Sequence, residues 1–379
     1  MKLTGELLIT VVRNYFKNLP MPEGVDYEAI FRLAKLHSMG NLFYEAVKNS
    51  SAVPESVKTE AKQHFFANVA QQTAQEYYAE ELFERLEEKK IPYVPLKGYI
   101  LRRMYPAPEL RTSCDLDIFY DKECTESVRN ILFDMGFAEE REGDNHDAWM
   151  LDSVTIETHH DLVSESNIYY DYLKDAFSKL LVGKGMRRNF TPEDFYVYFL
   201  IHSAKHFAYA GFGIRTVLDV WIYCKNVSMD EEYLTGELKK VRLLKFREAI
   251  ESLAEYWFGD SEKTDDLEIL SEYVLTSGTY GRSDNRRAIE TSGSGAKAAR
   301  KKFFWGKIFP SFKYMKKMYP IVGKCPILYP FSWIVRWGAV LFKRRRNIGM
   351  TITHMKQLDE KKVSKIERVI ELTDIPLEE

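Results

Sequence analysis

The sequence predicts an α+β protein in which helical regions flank a small α/β core with a mixed sheet. Apolar residues recur at helical spacing before residue 90 and again after residue 169, whereas short apolar strands and short helices alternate between them. A chain of 379 residues has room for two or three domains. The predicted units are an N-terminal helical region at 1–90, the core at 91–168, a helical domain at 169–280, and a linker with a basic, aromatic tail at 281–379.

The N-terminal region is predicted to be helical because its apolar residues fall on one face of each segment. The first segment has Leu8 and Val12 at this spacing, and the second has Ile30 and Leu33. A long helix with a polar outer face is predicted from about Pro54 to Lys89.

The pattern changes at Ile91, where the core is predicted to begin. The segment "IPYVPL" is typical of a short strand, "GYILRRMY" of one or two helical turns, and "CDLDIFY" of a strand with alternating apolar residues. A helix in "TESVRNILFDMG" is predicted to end at Gly136, and short strands follow around "FAEER", "AWML" and "VTIETHHDL". From about Tyr169 to Leu275 the chain is predicted to be helical again, and "SGTYGRSDNRRAIETSGSGAK" is predicted to be a linker.

Composition and charge exclude several classes of protein. The net charge of −2 argues against a uniformly basic nucleic-acid-binding protein. Four cysteines without C-x-x-C spacing argue against a disulfide scaffold or a zinc site and favour a reducing cytoplasm. The N-terminus lacks the features of a signal peptide, and no uncharged apolar run reaches the ~18 residues of a membrane-spanning helix. We therefore expect a cytoplasmic protein.

The two aspartates in "CDLDIFY" are the strongest candidates for a metal site. Alternate side chains of a strand point to opposite faces, so Asp115 and Asp117 are predicted to project together while their apolar neighbours enter the core. Paired carboxylates of this kind can hold the two magnesium ions of a phosphoryl-transfer site. The strand in "VTIETHHDL" offers Glu157 as the third acid, with His159 on the same face.

The Lys-Gly pair before these aspartates is a candidate phosphate site. Gly98 follows a short strand and opens a helix, where backbone N–H groups can approach a triphosphate, and Lys97 adds a positive charge. Arg111, four residues before Asp115, has two interpretations. It either orients the aspartates or contacts phosphate, or it is a solvated loop residue.

The order of these motifs resembles the nucleotidyltransferase superfamily that includes DNA polymerase beta, and within it a bacterial branch of uncharacterised nucleotidyltransferases. The segments that carry the resemblance are "LKG", "DLDIF" and "IETHHDL", followed by "HSAKHF", "LDVW" and "FPSFKYMKKMYP", so it extends from about Tyr93 through most of the chain. Two positions depart from the superfamily pattern: the Lys-Gly turn lacks the usual serine, and Cys114 stands where glycine is common.

The resemblance implies a nucleotidyltransferase core and a metal-dependent reaction. Asp115, Asp117 and Glu157 then hold Mg²⁺ or Mn²⁺, and Glu157 also helps to deprotonate the acceptor. Lys97 and Gly98 bind the triphosphate of an NTP, whose nucleoside monophosphate is transferred to an unknown acceptor hydroxyl with release of pyrophosphate. Two alternatives stay open: a metal-dependent glycosyltransferase that uses the D-x-D motif, and a non-catalytic nucleotide-binding scaffold at a membrane.

A helix predicted in "PEDFYVYFLIHSAKHFAYA" places His202 and His206 four residues apart on one face. One interpretation is that this face packs on the core. The other is implied by the resemblance: Lys205, with His206 and Asp219, contributes to nucleotide binding and closes the cleft.

The C-terminal tail combines basic and aromatic residues without acids. From Thr291 to Leu358 there is no Asp or Glu, and fifteen Lys or Arg residues are interleaved with aromatic residues. The interval 297–346 therefore predicts an interfacial segment on an anionic membrane surface, which would place the protein at the inner face of the membrane. The alternatives are a basic flank of the substrate cleft or a partner-binding surface and, third in order of preference, a site for single-stranded nucleic acid.

Overall fold

The computed structural model of the chain describes residues 2–209, 211–277, 309–343 and 360–376. Within them a mixed five-stranded sheet is flanked by helices from the N-terminal and C-terminal parts of the chain, which confirms the predicted α+β class. The segment predicted to be a linker lies outside the described residues, apart from its first residue.

The N-terminal part of the chain forms four helices. They are α1 (Lys2–Lys17), α2 (Tyr27–Leu36), α3 (Gly40–Val47) and α4 (Glu55–Glu88). α2 begins after Asp26, whose carboxylate accepts a hydrogen bond from the Ala29 N–H at 2.9 Å. α4 begins after Pro54 and has 34 residues, in agreement with the prediction of a long helix there. The apolar faces of α1, α2 and α3 are buried in one core.

The sheet contains five strands at the positions where the sequence predicts them. They are β1 (Tyr93–Pro95), β2 (Asp115–Tyr120), β3 (Ala138–Arg141), β4 (His146–Leu151) and β5 (Val154–His159). Their order is β1-β2-β5-β4-β3, and β2 and β5 are parallel while the other neighbours are antiparallel. Helix α5 (Lys97–Leu101) follows β1, and α6 (Thr125–Asp134) follows β2 and ends before Gly136, whose φ is +87°.

The two faces of the central strand β2 are buried against different layers. Leu116 and Ile118 pack in a cluster with residues of α4 and α6, as predicted. Phe119, on the other face, belongs to the core of the helical part and contacts Phe177, with ring centroids 5.1 Å apart. The face that carries Asp115 and Asp117 therefore points toward the helices that follow the sheet.

Six helices follow the sheet. They are α7 (Tyr170–Leu173), α8 (Pro192–Tyr209), α9 (Ile214–Asn226), α10 (Glu231–Lys240), α11 (Leu244–Phe258) and α12 (Asp265–Ser277). A hairpin of β6 (Leu181–Val182) and β7 (Arg188–Asn189) interrupts the predicted helical run, because strands of two residues are too short to show a periodic pattern. The Met186 N–H in its turn donates to the Glu87 carboxylate at 2.8 Å, which ties the hairpin to α4.

The C-terminal part has a second group of helices. They are α13 (Phe312–Met318), α14 (Pro320–Lys324), α15 (Tyr329–Lys343) and α16 (Glu360–Thr373). α16 packs on α11 and α12 with Ile366 and Val369 buried, and Arg368 pairs with Asp266 at 2.8 Å. Of the helices in the described part of the chain, none combines the length and the apolar character needed to cross a membrane.

Candidate active site

The parallel strands β2 and β5 bring two of the predicted acids side by side. In their register Asp117 is the direct partner of Glu157, and Asp115 is the partner of Thr155. Adjacent strands lie about 4.8 Å apart, so Asp117 and Glu157 lie at the same level on one face of the sheet. Asp117 is only 4% exposed, which makes its electrostatic surroundings decisive.

Two groups compensate the charge of Asp117. The Lys97 ammonium lies 3.0 Å from Oδ2 of Asp117, and Nε2 of His159 lies 3.0 Å from Oδ1. Burial by itself raises the pKa of Asp117, but Lys97 and His159 outweigh burial and hold that pKa well below its usual range. Burial lowers the pKa of Lys97, but Asp117 outweighs this effect and raises it. Asp117 and Lys97 are therefore both charged in the folded protein.

Asp115 and Glu157 are less well compensated. The Ser113 hydroxyl lies 3.2 Å from Oδ1 of Asp115 and 2.9 Å from its carbonyl oxygen, within hydrogen-bond distance of both. Burial, followed by repulsion from Asp117, raises the pKa of Asp115. Burial is also the largest cause that raises the pKa of Glu157, and repulsion from Asp117 and Asp115 adds to it. Three carboxyl groups therefore lie on one face of the sheet, and the nearby positive charge does not compensate all of them.

Two stacked imidazole rings lie beside Glu157. The ring centroids of His146 and His159 are 4.9 Å apart, and their Nε2 atoms lie 3.6 Å and 3.8 Å from Oε2 of Glu157. Burial, followed by the neighbouring His159, lowers the pKa of His146 to about 4, so its ring is neutral at pH 7. The Nδ1 atoms of both rings are buried, and neither has a hydrogen-bond partner among the residues that the structure describes. His146 belongs to β4, and no sequence motif identified it.

Asp117, Glu157 and His159 can hold a divalent cation. One ligand atom from each residue lies within 4.8 Å of the others. Carboxylate oxygens suit Mg²⁺ and Mn²⁺, whereas an imidazole nitrogen is a more usual ligand of zinc, copper, iron or nickel. Of the predicted acids, this group includes Asp117 and Glu157 together with His159, and the predicted role of Asp115 as a ligand stays a prediction. The donor atoms therefore fit a divalent metal, with Asp115 as a neighbour on the same strand.

The Lys-Gly turn adjoins these acids. Gly98 is buried, and a Cβ atom at this position would lie 3.0 Å from the Ser113 hydroxyl oxygen. A larger side chain would therefore press on the hydroxyl that contacts Asp115. The Leu96 N–H, at the start of the turn, donates to the Asp117 carbonyl at 2.9 Å, which fixes the turn to β2.

Arg111 is buried and paired, so the interpretation of a solvated loop residue is wrong. Its Nε and Nη2 donate to the two carboxylate oxygens of Asp219 at 2.8 Å and 2.9 Å, and its Nη1 donates to the Gly98 carbonyl at 3.3 Å. The Tyr105 hydroxyl adds a hydrogen bond to Asp219 at 2.7 Å. Arg111 thus connects the Lys-Gly turn to α9, where Asp219, its partner in a buried ion pair, lies.

Helix α8 brings Tyr198, His202 and His206 toward the acids at intervals of four residues. The rings of His202 and His206 have centroids 4.5 Å apart. Burial, followed by the charge of Lys97, lowers the pKa of His202 well below its usual value. Burial is the largest cause that lowers the pKa of His206 to about 4, and the positive charges of Lys205 and Lys97 add to it. The influence of Lys97 on both rings shows that this face of α8 lies near the Lys-Gly turn, whereas Lys205 itself is exposed.

An aromatic cleft adjoins the acids through Tyr198. The cleft encloses about 40 Å³ and is partly open to solvent. Tyr198 lines it, and burial raises the pKa of Tyr198 to about 12, with the charges of Lys97 and Asp117 also acting on it. No pattern in "FYVYFL" distinguishes Tyr198 from its buried neighbours, so the sequence did not identify it. The other polar and aromatic lining residues are Tyr172, Lys179, Phe190, Asp194, Tyr233 and Glu237.

Comparison with known proteins identifies the family. The sequence model of a family described as an uncharacterised nucleotidyltransferase matches residues 23–259. The match includes α2 to α11 and the whole five-stranded sheet, begins earlier than the motifs that carry the resemblance, and ends before the C-terminal tail. Comparisons with curated proteins and with solved structures gave no match. Because the match covers more than half of its residues, the chain belongs to this family of uncharacterised nucleotidyltransferases.

Proposed function

We propose that this protein transfers a nucleoside monophosphate from an NTP to an acceptor hydroxyl and releases pyrophosphate, and that the reaction requires Mg²⁺ or Mn²⁺. The observation that carries the proposal is the pairing of Asp117 with Glu157 on parallel strands, with Lys97 3.0 Å from Asp117. Acids that can hold a divalent cation, next to a lysine and a glycine turn, provide the groups that a metal-bound triphosphate needs. Membership of a nucleotidyltransferase family supports the same reaction class.

The acids and His159 divide the proposed chemistry between them. Asp117, Glu157 and His159, with Asp115 beside them, would hold the metal, which when bound offsets negative charge on the triphosphate and on the leaving pyrophosphate. Glu157 accepts the proton of the acceptor hydroxyl, and burial prepares it for this role because it raises the pKa of the carboxyl group. The acceptor oxygen forms its bond to the α-phosphorus as the bond from that phosphorus to pyrophosphate breaks.

The basic residues have proposed roles around the triphosphate. Lys97 compensates Asp117 in the structure, and we propose that its ammonium turns to the phosphates when the nucleotide binds. Gly98 allows the phosphates to approach the backbone. Lys205 and His206 approach from α8 on the other side of the site. Arg111 acts indirectly, because it holds the Gly98 carbonyl and is itself held by Asp219.

The aromatic cleft beside Tyr198 is the proposed binding place of the acceptor. Aromatic rings in the wall suit the apolar face of a sugar or another ring, and the carboxylates of Asp194 and Glu237 can accept hydrogen bonds from hydroxyl groups. Tyr198 is the link to the acids, since the charges of Lys97, Asp117 and Glu157 all act on its hydroxyl.

The alternatives are less well supported. A glycosyltransferase is disfavoured by the family match, and a non-catalytic scaffold is disfavoured because Asp115, Asp117 and Glu157 are all present. We retain the cytoplasmic location within this proposal, because the four scattered cysteines of the sequence lack C-x-x-C spacing.

A thermal-shift screen tests the donor. The four NTPs and several nucleotide sugars are each added to the full chain with Mg²⁺ or Mn²⁺. An NTP at 100 times its Kd is expected to stabilise the protein by about 2.7 kcal/mol, since ligand binding stabilises by RT ln(1 + [L]/Kd). Pyrophosphate release in the presence of candidate acceptors then reports turnover. Stabilisation by a nucleotide sugar with no response to any NTP would replace this proposal with the glycosyltransferase alternative.

A further inference from the structure

Exposed apolar side chains are concentrated on the short helices near the C-terminus. Ile327 is 79% exposed, and Phe331, Ile334 and Val335 are each 60% exposed. The last three lie on α15 at spacings of three and four residues, which places them on one face of the helix. Ile327 lies in the 3-10 turn Pro326–Leu328 that directly precedes α15. These four side chains form the apolar strip.

The opposite face of α15 is already packed, so the apolar strip is not the side that the helix buries against the protein. The rings of Tyr329 and Trp333 have centroids 4.8 Å apart, and Trp333 also contacts Phe309 at 4.9 Å. The Tyr329 hydroxyl and the Trp333 indole N–H both donate to the Pro310 carbonyl, at 2.7 Å and 3.1 Å. These contacts fix α15 against the start of α13 and leave the apolar strip on the outside.

The chain around the apolar strip is basic. The interval from Thr291 to Leu358 has fifteen Lys or Arg residues and no Asp or Glu. Among the residues that the structure describes there, Lys316 and Lys324 are exposed on α13 and α14. Positive charge beside exposed apolar side chains fits a partner that is anionic at its surface and apolar beneath it, which is the chemistry of an anionic lipid bilayer.

Nucleic acid fits this surface less well than lipid. Bases of single-stranded nucleic acid stack on exposed aromatic rings. Here the most exposed apolar side chains other than Phe331, namely Ile321, Ile327, Ile334 and Val335, are aliphatic. The exposed rings of Phe312 and Tyr314 on α13 are 38% and 47% exposed, and Tyr329 and Trp333 are packed on each other. With 15 residues, α15 is shorter than the roughly 20 residues of a transmembrane helix, so it suits an orientation in the plane of the membrane surface.

We propose that α13–α15 dock the protein on an anionic lipid bilayer. The apolar strip inserts at the boundary between headgroups and acyl chains, and Lys316 and Lys324 lie at the level of the headgroups. This attachment is separate from the proposed catalytic reaction, because it uses none of the residues of the active site. Its effect would be to present the active site to acceptors at the membrane surface.

Vesicle flotation with the full chain tests the proposal. The protein is expected to float with phosphatidylcholine vesicles that contain phosphatidylglycerol and to stay behind with pure phosphatidylcholine. The double variant Ile334→Ser/Val335→Ser should weaken binding at least tenfold, since each apolar side chain that leaves the lipid loses its burial. The double variant Lys316→Gln/Lys324→Gln should also weaken binding, and raising the salt concentration should weaken binding of the wild type.

The matched control is the double variant Leu3→Ser/Val182→Ser, which removes two exposed apolar side chains, 70% and 79% exposed, from other parts of the surface. It should bind vesicles like the wild type, and melting temperatures of all variants should confirm that they are folded. The proposal is overturned if the wild type does not float with anionic vesicles or if the control loses binding as much as Ile334→Ser/Val335→Ser. It is also overturned if a single-stranded oligonucleotide binds in place of lipid and that binding depends on the same lysines.

Discussion

The carboxyl groups of Asp115 and Asp117 lie two residues apart on one strand and have opposite electrostatic surroundings. Asp117 lies 3.0 Å from Lys97 and has a lowered pKa, whereas burial and then Asp117 raise the pKa of Asp115. Replacing either aspartate by asparagine removes one negative charge. We therefore expect the two replacements to change the free energy of unfolding in opposite directions.

Replacing each aspartate by asparagine tests this contrast. Asp117→Asn leaves the Lys97 ammonium buried without its opposite charge, so the free energy of unfolding in EDTA should fall by about 3–5 kcal/mol. Asp115→Asn removes a repelling charge and should change that free energy by no more than about 1 kcal/mol, in the stabilising direction. Both variants should lose nucleotide transfer. The measurements are urea unfolding and pyrophosphate release.

A suitable control is Asp134→Asn, which neutralises an exposed carboxylate at the end of α6 and should change stability by less than about 0.5 kcal/mol. Equal losses of stability in Asp115→Asn and Asp117→Asn would show that Lys97 does not compensate Asp117 selectively. Full activity in Asp115→Asn would remove that residue from the proposed reaction.

At the scale of elements, helices α2 and α9 meet at His37. His37 is fully buried directly after α2, and its Nδ1 accepts a hydrogen bond from the Ile214 N–H at the start of α9, at 3.2 Å. Burial, followed by the charge of Arg215, lowers the pKa of His37 from 6.5 to about 4. A protonated ring cannot accept a hydrogen bond at Nδ1, so acid should weaken the contact between the N-terminal helices and α9.

Acid titration of stability tests the role of His37. Because its pKa in the folded state is lowered, the contribution of the neutral ring is fully present above pH 6.5 and is lost as the pH falls toward 4. The loss should be roughly 3 kcal/mol, at 1.36 kcal/mol per pKa unit. His37→Gln should reduce the drop in unfolding free energy over this range by a similar amount. His160→Gln, at a partly exposed position, should keep it, and an unchanged acid titration in His37→Gln would contradict the role.

At the scale of the whole molecule, one buried ion pair connects the sheet region with the helical part. Arg111 lies between α5 and β2, Asp219 lies on α9, and both are less than 10% exposed. The N-terminal helices and the helices after the sheet share one apolar core, to which α1, α2, α11, α12 and α16 all contribute, so this pair lies inside a continuously packed body.

A double-mutant cycle measures the pair. Arg111→Met and Asp219→Leu should each lower the unfolding free energy by about 3–5 kcal/mol, because each leaves one charge buried alone. The double variant should lose less than the sum of the two, since no unpaired charge remains. Urea unfolding gives the three values. Strictly additive losses would mean that the two side chains do not stabilise each other, and the Gly98 turn would then need another support.

Features that depend only on neighbouring residues can be predicted from the sequence. Helical spacing located α4 and α8, and the alternation in β2 placed Asp115 and Asp117 on one face, because both periods are local properties of the backbone. The motif order also predicted Glu157 and the Lys-Gly turn as site residues. The sequence did not predict the hairpin of β6 and β7, because strands of two residues are too short to show a periodic pattern.

The contacts between distant residues, and the charges that these residues carry, depend on the folded chain. Lys97 and His159 lie 20 and 42 positions from Asp117 in the chain, and Asp219 lies 108 positions from Arg111, so no local pattern encodes these contacts. The parallel register of β2 and β5 brings Glu157 and His159 to Asp117, which together form a group that could hold a metal. Burial then shifts the pKa values, because the cost of a charge depends on its distance from water and from other charges, which only the folded chain determines.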